Sequence, residues 1–426
     1  MSQDVIVVQG PCKLQGEVQV SGAKNSALKL MAAALLGQGR TCLRNVPDIS
    51  DISIMSKVLK RLGATVERED HVMWVDTAKV EKFETPYQLV SKMRASISVL
   101  GPLIGRFGRA RVAMPGGCQI GARKIDMHLV GLEKLGVEFS VDHGYLSATT
   151  PHGLRAAEVM LTFPSVGATE NMLMAAVTAE GTSVIDNAAR EPEIVDLCNM
   201  LNEMGCKVSG GGSPCIQVEG VSLDELHPCD HVTVGDRIEA GTFLTGGALT
   251  GGPVTVRGID PSFLRMACMK LEDMGATVET GADWICVRRD GPLKPTDIQT
   301  LPHPGFPTDL QAQFMLLDAC AQGNSVVTEN VFENRFMFAA ELMRMGADIA
   351  IDGHHATVHG VESLQGAPVS STDLRAGAAL VLAGCFAEGE TQVYGVDHID
   401  RGYENYVAKL NQLGGTVTRV SADSLQ

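Results

Sequence analysis

The sequence is 426 residues long, with 45% hydrophobic and 20% charged residues. That predicts a soluble globular protein and, at this length, two domains rather than one core. The formal charge of −15 argues against nucleic acid or an anionic membrane as the main partner, so an anionic ligand would need local cations to overcome that field.

The opening segment, MSQDVIVVQGPCKLQGEVQV, alternates like a strand and lacks the basic, apolar pattern of a signal peptide. No apolar run reaches about 18 residues, so no transmembrane span is expected. Next comes SGAKNSALKLMAAALL (21–36), apolar nearly all round, which predicts a buried helix. Its first turn carries Lys24 and Asn25. A lysine there opposes the helix dipole, which an anion at the helix end would explain as readily as a solvated side chain would. A strand-like segment (39–47) and an amphipathic helix follow, ending at Gly63 in RLGATVE.

This unit recurs. Buried helices are predicted at 93–105, 165–179, 236–250, 307–321 and 371–385, each expected to start with Ser, Asp, Thr or Pro as a cap or first-turn residue. Each leads to a strand that opens on a glycine. Each copy ends on a Leu-Gly or Met-Gly step, at Gly63, Gly136, Gly205, Gly275, Gly346 and Gly414, about 70 residues apart. Such a glycine suits a left-handed helix cap. Six copies predict an α/β fold of two three-repeat domains, 22–233 and 234–426. The strand before Ser21 most simply closes a sheet of the second. If the helix starts converge on a shared cleft, they favour phosphate or carboxylate there.

Function is expected where the copies differ. In copy two the strand runs into MPGGCQIGARKID (114–126), where Cys118 and Arg123 share a glycine-rich loop. A nearby cation lowers a thiol's pKa, so Cys118 is a candidate proton donor or nucleophile. The loop is not a P-loop, and no dinucleotide fingerprint occurs, so no cofactor is expected. Asp236, Asp309 and Asp373 start helices four, five and six, which suits capping for most of them and leaves room for one base. Arg123, Arg335, Arg375 and Arg401 share loop or helix-start positions, with Arg94 and Arg190 less clearly so. His355 and His359 lie about 13 Å apart if in a strand, so HHATVH predicts no metal site. His128 falls near a helix start. The eleven cysteines contain no CxxC pair and read as reduced cytoplasmic thiols.

In order, SGAKNSA, PGGCQIGAR, FPSVGATEN, NAAREPEIVDL, GFPTDLQAQF, VFENRF, TDLRAGAALVLAG and HIDRGYE resemble the enolpyruvyl transferase family, and within it the UDP-N-acetylglucosamine 1-carboxyvinyltransferases. The resemblance covers essentially the whole chain. It implies a two-domain inverse α/β barrel with the active site in the cleft between the domains. It also implies transfer of enolpyruvate from phosphoenolpyruvate to the 3′-hydroxyl of UDP-N-acetylglucosamine, opening peptidoglycan synthesis. By matching position, Cys118 would be the acid and site of a covalent adduct, including one with the epoxide phosphonate fosfomycin. Asp309 would be the base. Lys24, Arg123 and Arg401, with Asn25, would hold phosphoenolpyruvate. Arg94, Arg123, Ser165, Val166, Gly167 and Val331 would contact the UDP-sugar. Arg335, Asp373 and Arg375 would complete the charged surroundings. Phe163 stands where some members carry lysine, so no phosphate contact is assigned to it. The alternatives are a 3-phosphoshikimate 1-carboxyvinyltransferase, which shares the fold, and a non-catalytic anion-binding relative.

Overall fold

Among the described residues, six helices have almost no polar face, and all six are buried. The computed structural model describes residues 4–90, 94–114 and 125–425. The helices are α1 (Lys24–Ala33), α2 (Leu100–Phe107), α3 (Val166–Ala176), α4 (Arg237–Thr250), α5 (Gln311–Ala319) and α6 (Leu374–Phe386). The chain divides into two compact units, one within Gly22–Val234 and the other joining the residues before Gly22 to those from Gly235 onward. Each has its own hydrophobic core. In each, three helices lie inside and the sheets lie outside, the inverse of an α/β barrel. Small residues make the helix contacts possible: a Cβ on Gly101 of α2 would meet the Asn171 carbonyl oxygen of α3 at 2.4 Å.

Each buried helix is followed by a strand, which is an inner strand in five of the six sheets and an edge strand in the sixth. In the Gly22–Val234 unit these strands are Arg40–Arg44, Arg109–Ala113 and Thr182–Asp186. In the other unit they are Val254–Arg257, Asn324–Thr328 and Gly389–Tyr394. All six pair antiparallel on one side with a strand of equal or greater length. On the other side five pair parallel with a short strand, and the sixth makes a single parallel bridge, Glu84 to Arg111. The six Leu-Gly or Met-Gly glycines all have φ between 91° and 111°, a conformation that other residues adopt only under strain.

The second unit is closed by the start of the chain. Asp4–Gly10 lies between Gly389–Tyr394 and Val417–Ser421, antiparallel to both. Gly16–Gln19 then runs parallel to Val254–Arg257 in a different sheet. Among the described residues no helix is long and apolar enough to cross a membrane.

The expectation that every buried helix starts on a capping residue holds for three. Ser165 accepts from the Ala168 N–H, and Asp236 and Asp373 each accept two N–H groups of their own first turns. Helices α1, α2 and α5 have Ala23, Val99 and Leu310 at this position and no side-chain cap. The last two are entered through 3₁₀ turns, Arg94–Val99 and Thr308–Leu310. The i→i+3 bonds of such a turn satisfy N–H groups that a cap would otherwise hold.

Candidate active site

In the Gly22–Val234 unit, Lys24 is in the first turn of α1 and is only 7% exposed. Its Nζ lies 2.9 Å from Asp51 Oδ2. Asp51 is in the first turn of the amphipathic helix Ser50–Leu62 and is 1% exposed. A solvated lysine is therefore ruled out. A buried cation against the helix dipole persists here because a buried carboxylate sits beside it. Asn25, the next residue, is half-buried.

A second buried group fixes the same turn. The Ser26 hydroxyl donates to Asp196 of helix Pro192–Glu203. The other oxygen of Asp196 is 3.0 Å from His231 Nε2, and His231 Nδ1 lies 2.8 Å from Glu203. Burial opposes charge on His231, but Asp196 and Glu203 outweigh it and raise its pKa. At the start of α3, Ser165 caps the helix, and Gly167 packs so closely on His128 that a Cβ would lie 3.0 Å from the ring. His128 is buried and 2.9 Å from the Asn171 amide. Phe163 is 37% exposed.

In the other unit Asp309 lies in the Thr308–Leu310 turn that leads into α5. Its carboxylate is shared by two arginines. Arg335 Nη2 is 3.0 Å from Oδ1, and Arg375 Nη2 is 3.6 Å from Oδ2. The arginine side chains are 3% and 2% exposed, while that of Asp309 is 26% exposed. Arg375 stacks over the Tyr403 ring at 5.3 Å. Burial works against its charge, and Tyr403, Asp309 and Asp236 together overcome that and raise its pKa. Tyr403 is in turn held by Thr242 at 2.9 Å and by the Gln313 amide at 3.3 Å.

The structure thus separates three aspartates that look alike in the sequence. Asp236 and Asp373 cap their helices, with hydrogen bonds of 2.8 to 3.1 Å. Asp309 faces cations, and Leu310 rather than Asp309 stands at the N-cap of α5. Val331 and Arg401 are half-buried. Cys118 and Arg123, and the side chain of Arg94, lie outside the described residues.

Sequence reasoning missed several partners, among them Asp51, Glu329 and Tyr403. Asp51 and Glu329 are buried carboxylates, and Tyr403 is 2% exposed. A clue was available for Glu329. At the sixth residue after the glycine that opens each strand, four copies carry Asn or Gly, whereas copy five carries Glu.

Comparison with known proteins adds the following. The family described as EPSP synthase (3-phosphoshikimate 1-carboxyvinyltransferase) matches residues 8–410. A protein of Corynebacterium jeikeium named UDP-N-acetylglucosamine 1-carboxyvinyltransferase is 53% identical, over 98% of this chain and 99% of its own length. One of the same name from Klebsiella pneumoniae is 50% identical, over 99% of this chain and 100% of its own. Among solved structures, the enolpyruvyl transferase NikO from Streptomyces tendae matches with a TM-score of 0.88 and 26% identity, covering 99% of this chain and 100% of its own. An EPSP synthase from Acinetobacter baumannii shares the fold at a TM-score of 0.75 and 18% identity, with the same coverage.

Proposed function

The chain belongs to the enolpyruvyl transferase family, and on that premise we propose that it transfers the enolpyruvyl group of phosphoenolpyruvate to the 3′-hydroxyl of UDP-N-acetylglucosamine, releasing phosphate. The observation that carries this reading is near-complete coverage, at about half identity, by relatives named for that transfer. The EPSP synthase structures share far fewer residues and speak for the fold alone. The reaction would open peptidoglycan synthesis in the cytoplasm, a compartment in keeping with the free cysteines found among the described residues.

The roles follow from charge and position. Lys24, Arg123 and Arg401, with Asn25 beside Lys24, hold the phosphate and carboxylate of phosphoenolpyruvate. Cys118 protonates the enol methylene carbon and leaves an oxocarbenium-like centre. The sugar 3′-oxygen attacks that centre as Asp309 takes its proton, giving a tetrahedral ketal. A methyl proton and phosphate then leave, which restores the double bond. General acid–base assistance of this kind is worth about 10²–10⁴-fold. Preorganised cations supply the electrostatic part. Arg335 and Arg375 support the assignment of Asp309, because they hold its carboxylate in one orientation from two sides. Arg94, Arg123, Ser165, Val166, Gly167 and Val331 would meet the UDP-sugar. Asp373 acts through the first turn of α6, which carries Arg375.

The deciding assay is phosphate release from phosphoenolpyruvate, with UDP-N-acetylglucosamine and, separately, with shikimate 3-phosphate as acceptor. Turnover with the UDP-sugar alone is expected, and turnover with shikimate 3-phosphate would move the chain to the other branch. Treatment with fosfomycin should leave a single mass adduct on residues 114–123. An unmodified peptide with loss of activity would remove Cys118 from this scheme.

A further inference from the structure

Four of the six repeats share a turn at the end of the strand that follows the buried helix, whereas copy two has Met114 there and copy five has Glu329. Six residues after the opening glycine, copies one, three, four and six have Asn45, Asn187, Gly258 and Gly395, with φ of 55°, 53°, 78° and 74°. In copies one and three that asparagine ties the loop to the parallel neighbour. Asn45 Nδ2 donates to the Thr233 carbonyl, and Asn187 Nδ2 to the Leu161 carbonyl, both at 2.9 Å. Copy five has Glu329 at this step. The same tie is made one residue later, from Asn330 Nδ2 to the Thr300 carbonyl at 3.2 Å. Glu329 is therefore released from the tie that Asn45 and Asn187 make in their copies.

What it does instead is specific. Glu329 is 3% exposed. Its Oε1 accepts from the Thr300 hydroxyl at 2.9 Å, the Val331 N–H at 2.8 Å and the Phe332 N–H at 3.0 Å. Its Oε2 accepts from the Thr308 hydroxyl at 2.8 Å. A buried carboxylate with four donors is a strong, rigid junction. One arm fixes the loop at Val331. The other fixes the first residue of the turn that presents Asp309.

We infer that Glu329 is a positioning residue that sets the sugar-contacting loop and the Asp309 turn at a fixed spacing. The inference rests on the proposed transfer to a UDP-sugar. If a base must meet one hydroxyl of a bound sugar, its turn and a sugar contact must be held in common register, and a single carboxylate does so here. Misplacement by about 1 Å can cost about 10²-fold in rate.

The test uses the full chain with Glu329→Gln, Thr308→Val and Thr308→Ser. The readouts are kcat, KM for each substrate and the thermal midpoint. Thr308→Val cuts only the arm to the Asp309 turn, so kcat should fall about tenfold with KM for phosphoenolpyruvate unchanged. Thr308→Ser, which restores the hydroxyl, should recover kcat. Glu329→Gln disturbs both arms, so kcat should fall and KM for the UDP-sugar should rise together. Wild-type kcat in Thr308→Val, or losses in kcat that track the thermal midpoint with both KM values unmoved, would overturn the inference while leaving the activity standing. A folded wild-type chain with no UDP-sugar turnover would instead overturn the activity and this inference with it.

Discussion

The starts of α1 and α5 are electrostatic opposites built in the same way. At α1 the helix presents a cation, Lys24, and a carboxylate from further along the same copy, Asp51, is bound to it at 2.9 Å. At α5 the entry turn presents a carboxylate, Asp309, and a cation from further along its copy, Arg335, is bound at 3.0 Å. The second site has one more charge, since Arg375 also reaches Asp309. The first pair is neutral as a set and nearly closed to solvent. The second carries a surplus positive charge, and its carboxylate stays 26% exposed. One repeat thus serves two purposes by exchanging the sign of the presented group and leaving one of them open.

The largest expected effect concerns that opening. Asp309→Asn should retain UDP-sugar binding but lose about 10²–10⁴-fold in kcat, measured by single-turnover phosphate release and by calorimetric titration of the UDP-sugar. Equal loss of binding and rate would mean that Asp309 mainly organises its arginines. On the other side of the comparison, Lys24→Met removes the cation beside buried Asp51 and should cost about 3 kcal/mol of stability. Lys24→Met combined with Asp51→Asn should cost less than Lys24→Met alone, as a urea-unfolding double-mutant cycle would show. Additive losses would mean the two do not act as a pair.

A third carboxylate sharpens the comparison through pH. Asp318 is in α5 itself, near its far end, and is buried. Burial pushes its pKa up to about 7, against the hydrogen bond donated by the Thr296 N–H. The folded chain then holds a proton that the unfolded chain has lost between pH 3.8 and about 7. Its contribution to stability is therefore full below the ordinary carboxylate pKa and is lost as pH rises through about 7. Asp318→Asn should raise the thermal midpoint at pH 8 and change it little at pH 4. A uniform shift at both values would put the cause elsewhere. The smallest effect is expected at Ser165, a cap. Its replacement by Ala should cost about 1 kcal/mol in denaturant unfolding.

Much of this was legible in the sequence, and the reasons differ by residue. Periodicity identified the buried helices because a helix without a polar face can only be interior. Lys24 stood out because its charge opposes the dipole at that place. Its partner Asp51 did not, since an acid in a helix's first turn is ordinary and only tertiary packing brings it to Lys24. Asp309 could not be told from Asp236 and Asp373, because a capping aspartate and an ion-paired one differ by where the chain bends, not by composition. The 3₁₀ turn before α5 makes that difference. Glu329 was visible as a departure from its counterparts, but its four donors come from segments whose convergence no local pattern records.

The strand Asp4–Gly10 has a consequence for how the chain is made. Its neighbours, Gly389–Tyr394 and Val417–Ser421, are the last strands to be synthesised. The Gly22–Val234 unit is contiguous and can fold as it leaves the ribosome. The other unit must hold an apolar strand, with its hydrogen-bonding edges open, until nearly the whole chain exists. Such pairing between distant segments is slow to form. The interval before closure is when a chaperone would be engaged and when aggregation would begin, so Val5, Ile6, Val7 and Val8 are the residues such a chaperone should recognise.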